Sequence, residues 1–158
     1  MIEKRPFRYF LNRNHGVPGI AVLPESGYAR ARAEIMTWPG YAPTPLVALD
    51  VIAKAAGVAR LDYKDEAARF GLASFKALGG AYAVMRVLQA EIAKRDVARE
   101  ATSADLIAGT YKEATAKITV CCATDGNHGR SVAWGAQRFG AACVIFVHDA
   151  AHGSRRTR

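Results

Sequence analysis

The stretch KITVCCATDGNHGRSVAWGAQRFGAACVIFVH, residues 117–148, decides the fold class. KITVCCAT is an apolar run of strand length, Asp125-Gly126 is a turn pair, the residues after it suit a helix, and AACVIFVH is a second apolar run. Strand, tight turn, helix and strand in succession make a βαβ unit, which implies parallel strands and a right-handed crossover. The expected class is α/β. No internal repeat or low-complexity tract interrupts this reading.

Within that unit, Thr124-Asp125-Gly126-Asn127-His128-Gly129-Arg130 falls at the carboxyl end of the first strand, where α/β proteins bind ligands. The free amides of the helix that follows favour anionic or electron-rich groups. Asp125 and Asn127 have two readings here, as helix caps or as groups that face a ligand. Neither the Walker loop nor the Gly-x-Gly-x-x-Gly fingerprint is present, so a nucleotide is not the obvious ligand. His128 is read as a packing residue that supports the loop.

Upstream, RFGLASFKALGGAYAV, residues 69–84, places Lys76 among small and apolar neighbours. Leu78, Tyr82, Met85, Leu88 and Ile92 recur every three or four residues, which predicts an amphipathic helix from Lys76 to about Lys94. In an apolar pocket the ammonium form loses solvation, and the field of a helix amino end also opposes its charge. Both lower the lysine pKa and yield a neutral amine able to attack a carbonyl. With its head in water, Lys76 is instead an ordinary surface lysine. Gly79 and Gly80 each cost a helix roughly 1 kcal/mol relative to alanine, and close approach of a backbone or a flat ligand would account for them. Phe75 and Tyr82 read as core or pocket wall.

Farther out, the first 27 residues are turn-rich and predict an extended arm. YARARAEIMTW suits a short helix ended by Pro39, and the prolines of GYAPTPLVAL predict a stiff connection before a helix through LVALDVIAKAAG that closes on Gly57. ARLDYKDEA suits a short strand, and TSADLIAGTYKEA a weaker helix with Thr102 and Asp105 at capping-box spacing.

With 158 residues, 51% of them hydrophobic, the chain is long enough for one compact domain. No apolar run reaches the roughly 18 to 20 residues of a membrane span, and the start has no apolar region of signal-peptide type, so a cytoplasmic protein is expected. Cys121, Cys122 and Cys143 form neither a disulfide framework nor a metal knuckle and read as small buried hydrophobes. No two of the four histidines have metal-site spacing, so no metal is expected. The net charge is +8, but Arg155, Arg156 and Arg158 supply three of those charges and no basic stripe is sustained, so nucleic acid is not the expected partner.

Taken together, PGYAPTPL, KDEAARFGLASFKALGGAYAV and ATDGNHGRSVAWGAQRFGA resemble, in order and spacing, the pyridoxal-phosphate enzymes of the tryptophan-synthase-β group, fold type II. Within that group the likeness is greatest to the diaminopropionate ammonia-lyases, and it runs from about Trp38 to His148. The resemblance implies that Lys76 holds pyridoxal 5'-phosphate covalently and later shuttles a proton. It implies that Asn127 hydrogen-bonds the ring 3'-hydroxyl, and that Asp125 removes the Cα proton from one enantiomer of the substrate. The reaction implied is conversion of 2,3-diaminopropionate, a small amino acid, to pyruvate and ammonia. A serine or threonine dehydratase and a non-catalytic remnant are the alternatives.

The same resemblance divides the chain into an arm and short helix (1–37), a partial enzyme domain (38–147) and an atypical basic tail (148–158), of the kind a frameshift or early stop leaves. A glycine-rich phosphate loop, a residue facing the pyridine nitrogen and a second acid would lie beyond residue 158. A truncated sheet would expose an edge strand and an apolar face, which implies poor solubility or dependence on a partner. The resemblance allows a homodimer of the family kind, which is not the expectation for the truncated chain.

Overall fold

The computed structural model describes residue 13 and residues 24–148; the expected arm falls mostly, and the basic tail almost wholly, outside the described residues. The order is α1 (Glu25–Met36), β1 (Leu46–Ala48), α2 (Asp50–Ala56), β2 (Asp62–Lys64), a 3-10 turn (Arg69–Gly71), α3 (Lys76–Lys94), α4 (Ser103–Ala108), α5 (Lys112–Thr115), β3 (Thr119–Ala123), α6 (Asn127–Arg138) and β4 (Ala142–Phe146). β3 and β4 pair in parallel, with Val120 opposite Cys143 and Cys122 opposite Ile145, and α6 is the crossover between them. The expected βαβ unit is therefore present, and the fold is α/β.

Two expected elements differ. Leu46–Ala48, expected to open a helix, is a strand antiparallel to β2, with Leu46 opposite Lys64. Pro43 and Pro45 hold the chain extended before it, and the backbone N–H of Leu49 donates to the Leu61 carbonyl at 2.9 Å, so the helix begins only at Asp50. It closes on Gly57 in the left-handed conformation, φ 69°, as expected. The second difference is Gly109, which at φ 77° ends α4 and divides the TSADLIAGTYKEA segment into two helices. The Thr102–Asp105 capping box forms as predicted.

The core is built on α3 and α6. Leu88, Ile92, Ala136 and Phe139 have no exposed surface, and Met85 and Trp38 have almost none. α6 lies close to α3 because of two glycines. A Cβ on Gly135 would stand 2.7 Å from the Ala81 Cα, and one on Gly80 would stand 2.3 Å from the Ser131 Oγ. Gly80 thus has a close neighbour, but it is a side chain where a backbone or a flat ligand was expected, and a Cβ on Gly79 would meet nothing within 4 Å among the described residues. Contacts advance together along both helices, Gly80 with Ser131 and then Ala81 and Val84 with Gly135, so their amino ends lie at the same end. That end is where α6 leaves the carboxyl end of β3.

The sheet alternates strictly. Val120, Cys122, Cys143 and Ile145 pack toward the core, whereas Cys121, Ala123, Val144 and Phe146 face outward and are exposed. This corrects the reading of the three cysteines as buried: neighbours on a strand point to opposite faces, so Cys121 must face away from Cys122. Cys122 and Cys143 are half-buried.

Candidate active site

β3 runs on by one bond past its end, with the Thr124 N–H donating to the Phe146 carbonyl at 2.9 Å. The chain then turns through Asp125 and Gly126 into α6. Gly126 is the cap residue, and among the described residues no side chain is seen to bond the helix end. The capping reading of Asp125 and Asn127 is therefore overturned: both side chains are exposed and do not bond that end, whose first amides are left for a ligand or solvent. Gly129 lets the first turn sit on the sheet, since a Cβ there would stand 2.7 Å from the Thr124 Cγ2 and 3.1 Å from the Ile145 Cγ2. His128 is exposed, which corrects its reading as a packing residue. Beside this turn, Ala123, Thr124, Asp125, Phe146, Val147 and His148 line a cleft of about 420 Å³ at the carboxyl ends of both strands.

Lys76 is the first residue of α3, as the sequence predicts. Its side chain is exposed, and Phe75 beside it is 65% exposed, so the apolar enclosure expected around the lysine is not supplied by the described residues. Tyr82 is half-buried against the core. The Lys76 carbonyl accepts a hydrogen bond from the Ser131 hydroxyl, 2.5 Å, which joins the start of α3 to the first turns of α6. Two motifs far apart in sequence thereby share one end of the fold, although Lys76 does not line the cleft itself.

The loop that delivers Lys76 is unusual. Phe70 (φ 47°) and Ala73 (φ 52°) are left-handed without being glycine, and Gly71 (φ 71°) lies between them. Such non-glycine residues cost about 1–3 kcal/mol each and persist only where their surroundings fix them. Phe70 is fixed by aromatic packing, its ring centroid 4.9 Å from that of Trp134 on α6 and 6.2 Å from that of Trp38.

The other anchor is Arg69, only 6% exposed. Its Nε donates to the Glu66 Oε2 at 2.7 Å, its Nη1 to the Ala42 carbonyl at 2.9 Å, and its Nη2 to the Thr44 Oγ1 and the Glu66 Oε1, both at 3.0 Å. The Thr44 hydroxyl donates to the Glu66 Oε1 at 2.5 Å, and the guanidinium carbon lies 5.5 Å from the Tyr41 ring centroid. This clamp ties PGYAPTPL to KDEAARFG. The residue-by-residue reading missed it, although Glu66 and Arg69 have ion-pair spacing, i and i+3.

The Arg69 hydrogen bonds hold the Glu66 carboxyl at a pKa of about 2 rather than 4.5, assisted by the Thr44 hydroxyl and opposed by burial. A carboxyl depressed by folding stabilises the folded state at any pH above its unfolded value and loses that effect as pH falls toward its folded value. A shift of this size is worth about 3 kcal/mol. The urea midpoint is expected to fall between pH 4.5 and about 2, and Glu66→Gln to flatten that part of the profile.

Residues 37–158 match the profile of the family described as pyridoxal-phosphate dependent enzyme. Over 108 residues the chain is 45% identical to the diaminopropionate ammonia-lyase of Escherichia coli (strain K12), covering 68% of this chain and 26% of that protein. It is 40% identical over 109 residues to the diaminopropionate ammonia-lyase of Salmonella typhimurium (strain LT2), covering 69% and 26%. The crystal structure of the Escherichia coli diaminopropionate ammonia-lyase in complex with D-serine superposes with a TM-score of 0.68 at 38% identity, over 85% of this chain and 32% of that one. The chain thus spans about a quarter of the length of these curated relatives. The parallel α/β architecture is that of fold type II, as the resemblance implied, and from its motifs, its fold and the matched profile this chain belongs to the pyridoxal-phosphate dependent enzymes.

Proposed function

We propose that this chain carries the lysine-bearing part of a pyridoxal-phosphate dependent ammonia-lyase that converts 2,3-diaminopropionate to pyruvate and ammonia. What supports this reading is the contact between the start of α3 and the first turns of α6, which brings Lys76 to the end of the fold that carries the Asp125–Asn127 turn, while neither Asp125 nor Asn127 bonds the helix end. The residues present suit pyridoxal phosphate: an amine for covalent attachment, an amide for the ring hydroxyl, and a helix end open to electron-rich groups.

When bound, the cofactor supplies an electron sink for the substrate Cα. Lys76 holds it through Nζ and carries a proton between steps. Asn127 orients the ring through its amide. Asp125 is exposed at the rim of the cleft and takes the proton from Cα through its carboxylate. The substrate is a small amino acid. We assign the chain to the cytoplasm on its three free thiols; among the described residues no helix is long and apolar enough to cross a membrane.

The test is a visible-absorbance titration of the chain with pyridoxal phosphate, followed by borohydride reduction and peptide mapping. A saturating band with the label on Lys76 is expected. Label spread over surface lysines, or no band, would overturn the assignment of Lys76. Ammonia release from diaminopropionate, set against serine and threonine, then separates the proposed activity from that of a dehydratase.

A further inference from the structure

We propose that Ser131 is a positioning residue whose hydroxyl fixes where Lys76 stands relative to the Asp125–Asn127 turn. The proposal rests on the roles given above to those three residues. Ser131 has no exposed surface, and a buried hydroxyl needs a hydrogen-bond partner. The partner it has is the Lys76 carbonyl, 55 residues earlier, although that oxygen already lies in the i, i+4 ladder of α3. The bond therefore adds nothing that α3 needs as a helix. It joins the backbone of the lysine to the second helix.

The surroundings are shaped to this bond. A Cβ on Gly80 would stand 2.3 Å from the Ser131 Oγ and 2.8 Å from the Ser131 Cβ, so only glycine leaves the serine its place. Asn127 stands one helical turn before Ser131, at i−4, and Asp125 two residues before that. On the other side of the Lys76 Cα, in the preceding peptide unit, the Lys76 N–H donates to the Ser74 Oγ at 3.2 Å. The root of Lys76 is thus held on both sides while its side chain is free in solvent. A covalent attachment point needs this arrangement, because displacements near 1 Å at a reacting group change rates by large factors.

Serine as packing and serine as hydrogen-bond donor are separated by two variants of the full chain. Ser131→Ala keeps the close fit and loses the hydroxyl; Ser131→Thr keeps the hydroxyl and overfills the site. Each is titrated with pyridoxal phosphate and reduced, and the label on Lys76 is compared with that on all other lysines, alongside the melting temperature. For Ser131→Ala the preference for Lys76 is expected to fall roughly tenfold with a melting shift of only a few degrees. For Ser131→Thr the preference is expected to persist even where the melting temperature falls further. Labelling that follows melting temperature instead of the hydroxyl, or an unchanged preference in Ser131→Ala, overturns the proposal. If the unsubstituted chain itself shows no preference for Lys76, the functional reading fails and the positioning role fails with it.

Discussion

Arg69→Met is expected to lower the stability of this chain by about 3–5 kcal/mol, more than half the reserve of many domains. The guanidinium makes four hydrogen bonds to protein acceptors, and methionine replaces none of them. The Glu66 side chain, 14% exposed, would be left as a largely buried carboxylate with the Thr44 hydroxyl and Lys64 nearby as the remaining polar groups. A buried charge whose partner is removed costs more than the pair contributed. Urea midpoints measure the loss. Glu66→Gln with Arg69→Met should recover part of it, because the double variant contains no stranded charge. A double variant whose loss equals the sum of the single losses would show that the two side chains act independently. The clamp also bears on the loop before Lys76: with Arg69 gone, the left-handed Phe70 and Ala73 lose one of the anchors that hold them.

Trp38→Ala should cost a comparable amount, about 3–5 kcal/mol, through the cavity left by a large buried side chain. Trp38 is 2% exposed and meets three aromatic rings, with centroids at 5.6 Å for Phe139, 6.2 Å for Phe70 and 6.4 Å for Trp134. Its Nε1 donates to the Glu34 Oε1 at 3.0 Å, so truncation also removes that donor. The space is bounded by the end of α6 and the rigid 3-10 turn, which limits how far the walls can collapse. Denaturation followed by the fluorescence of Trp134 gives the number. Trp38→Phe, which retains most ring contacts, is expected to lose distinctly less. Equal losses in the two variants would place the effect in the Glu34 hydrogen bond instead of in packing.

The parts of the fold legible in the sequence are those written in local periodicity. Leu78, Tyr82, Met85, Leu88 and Ile92 mark one face of α3, and its bounds, Lys76–Lys94, follow from them. The two apolar runs around Asp125-Gly126 give β3, β4 and their parallel pairing, and the spacing of Thr102 and Asp105 gives a cap. Leu46–Ala48 was illegible for a physical reason: four apolar residues in a row fit a strand or a helix, and the choice falls to pairing with residues 62–64 farther along. The Arg69 clamp was half legible. Glu66 is a local neighbour, but Thr44 and Ala42 are brought to it by the turn of β1 and β2. At the candidate site, the chemical types of Lys76, Asp125 and Asn127 could be read from the chain, whereas their exposure could not. Exposure depends on what packs over a residue, and an apolar neighbour in sequence such as Phe75 need not be a neighbour in a pocket.

The glycine contacts between α3 and α6 constrain freedom of motion. At Gly135 the approach is backbone to backbone, and at Gly80 it is backbone to a fully buried side chain, so neither contact has a flexible chain end that could give way. A slide of one helix along the other would bring a wider residue to a gap that only glycine fits. The pair therefore behaves as a single stiff beam, and any adjustment to a bound molecule falls to the Lys76 side chain and the turn at 124–126, which adjoin the amino ends of the two helices.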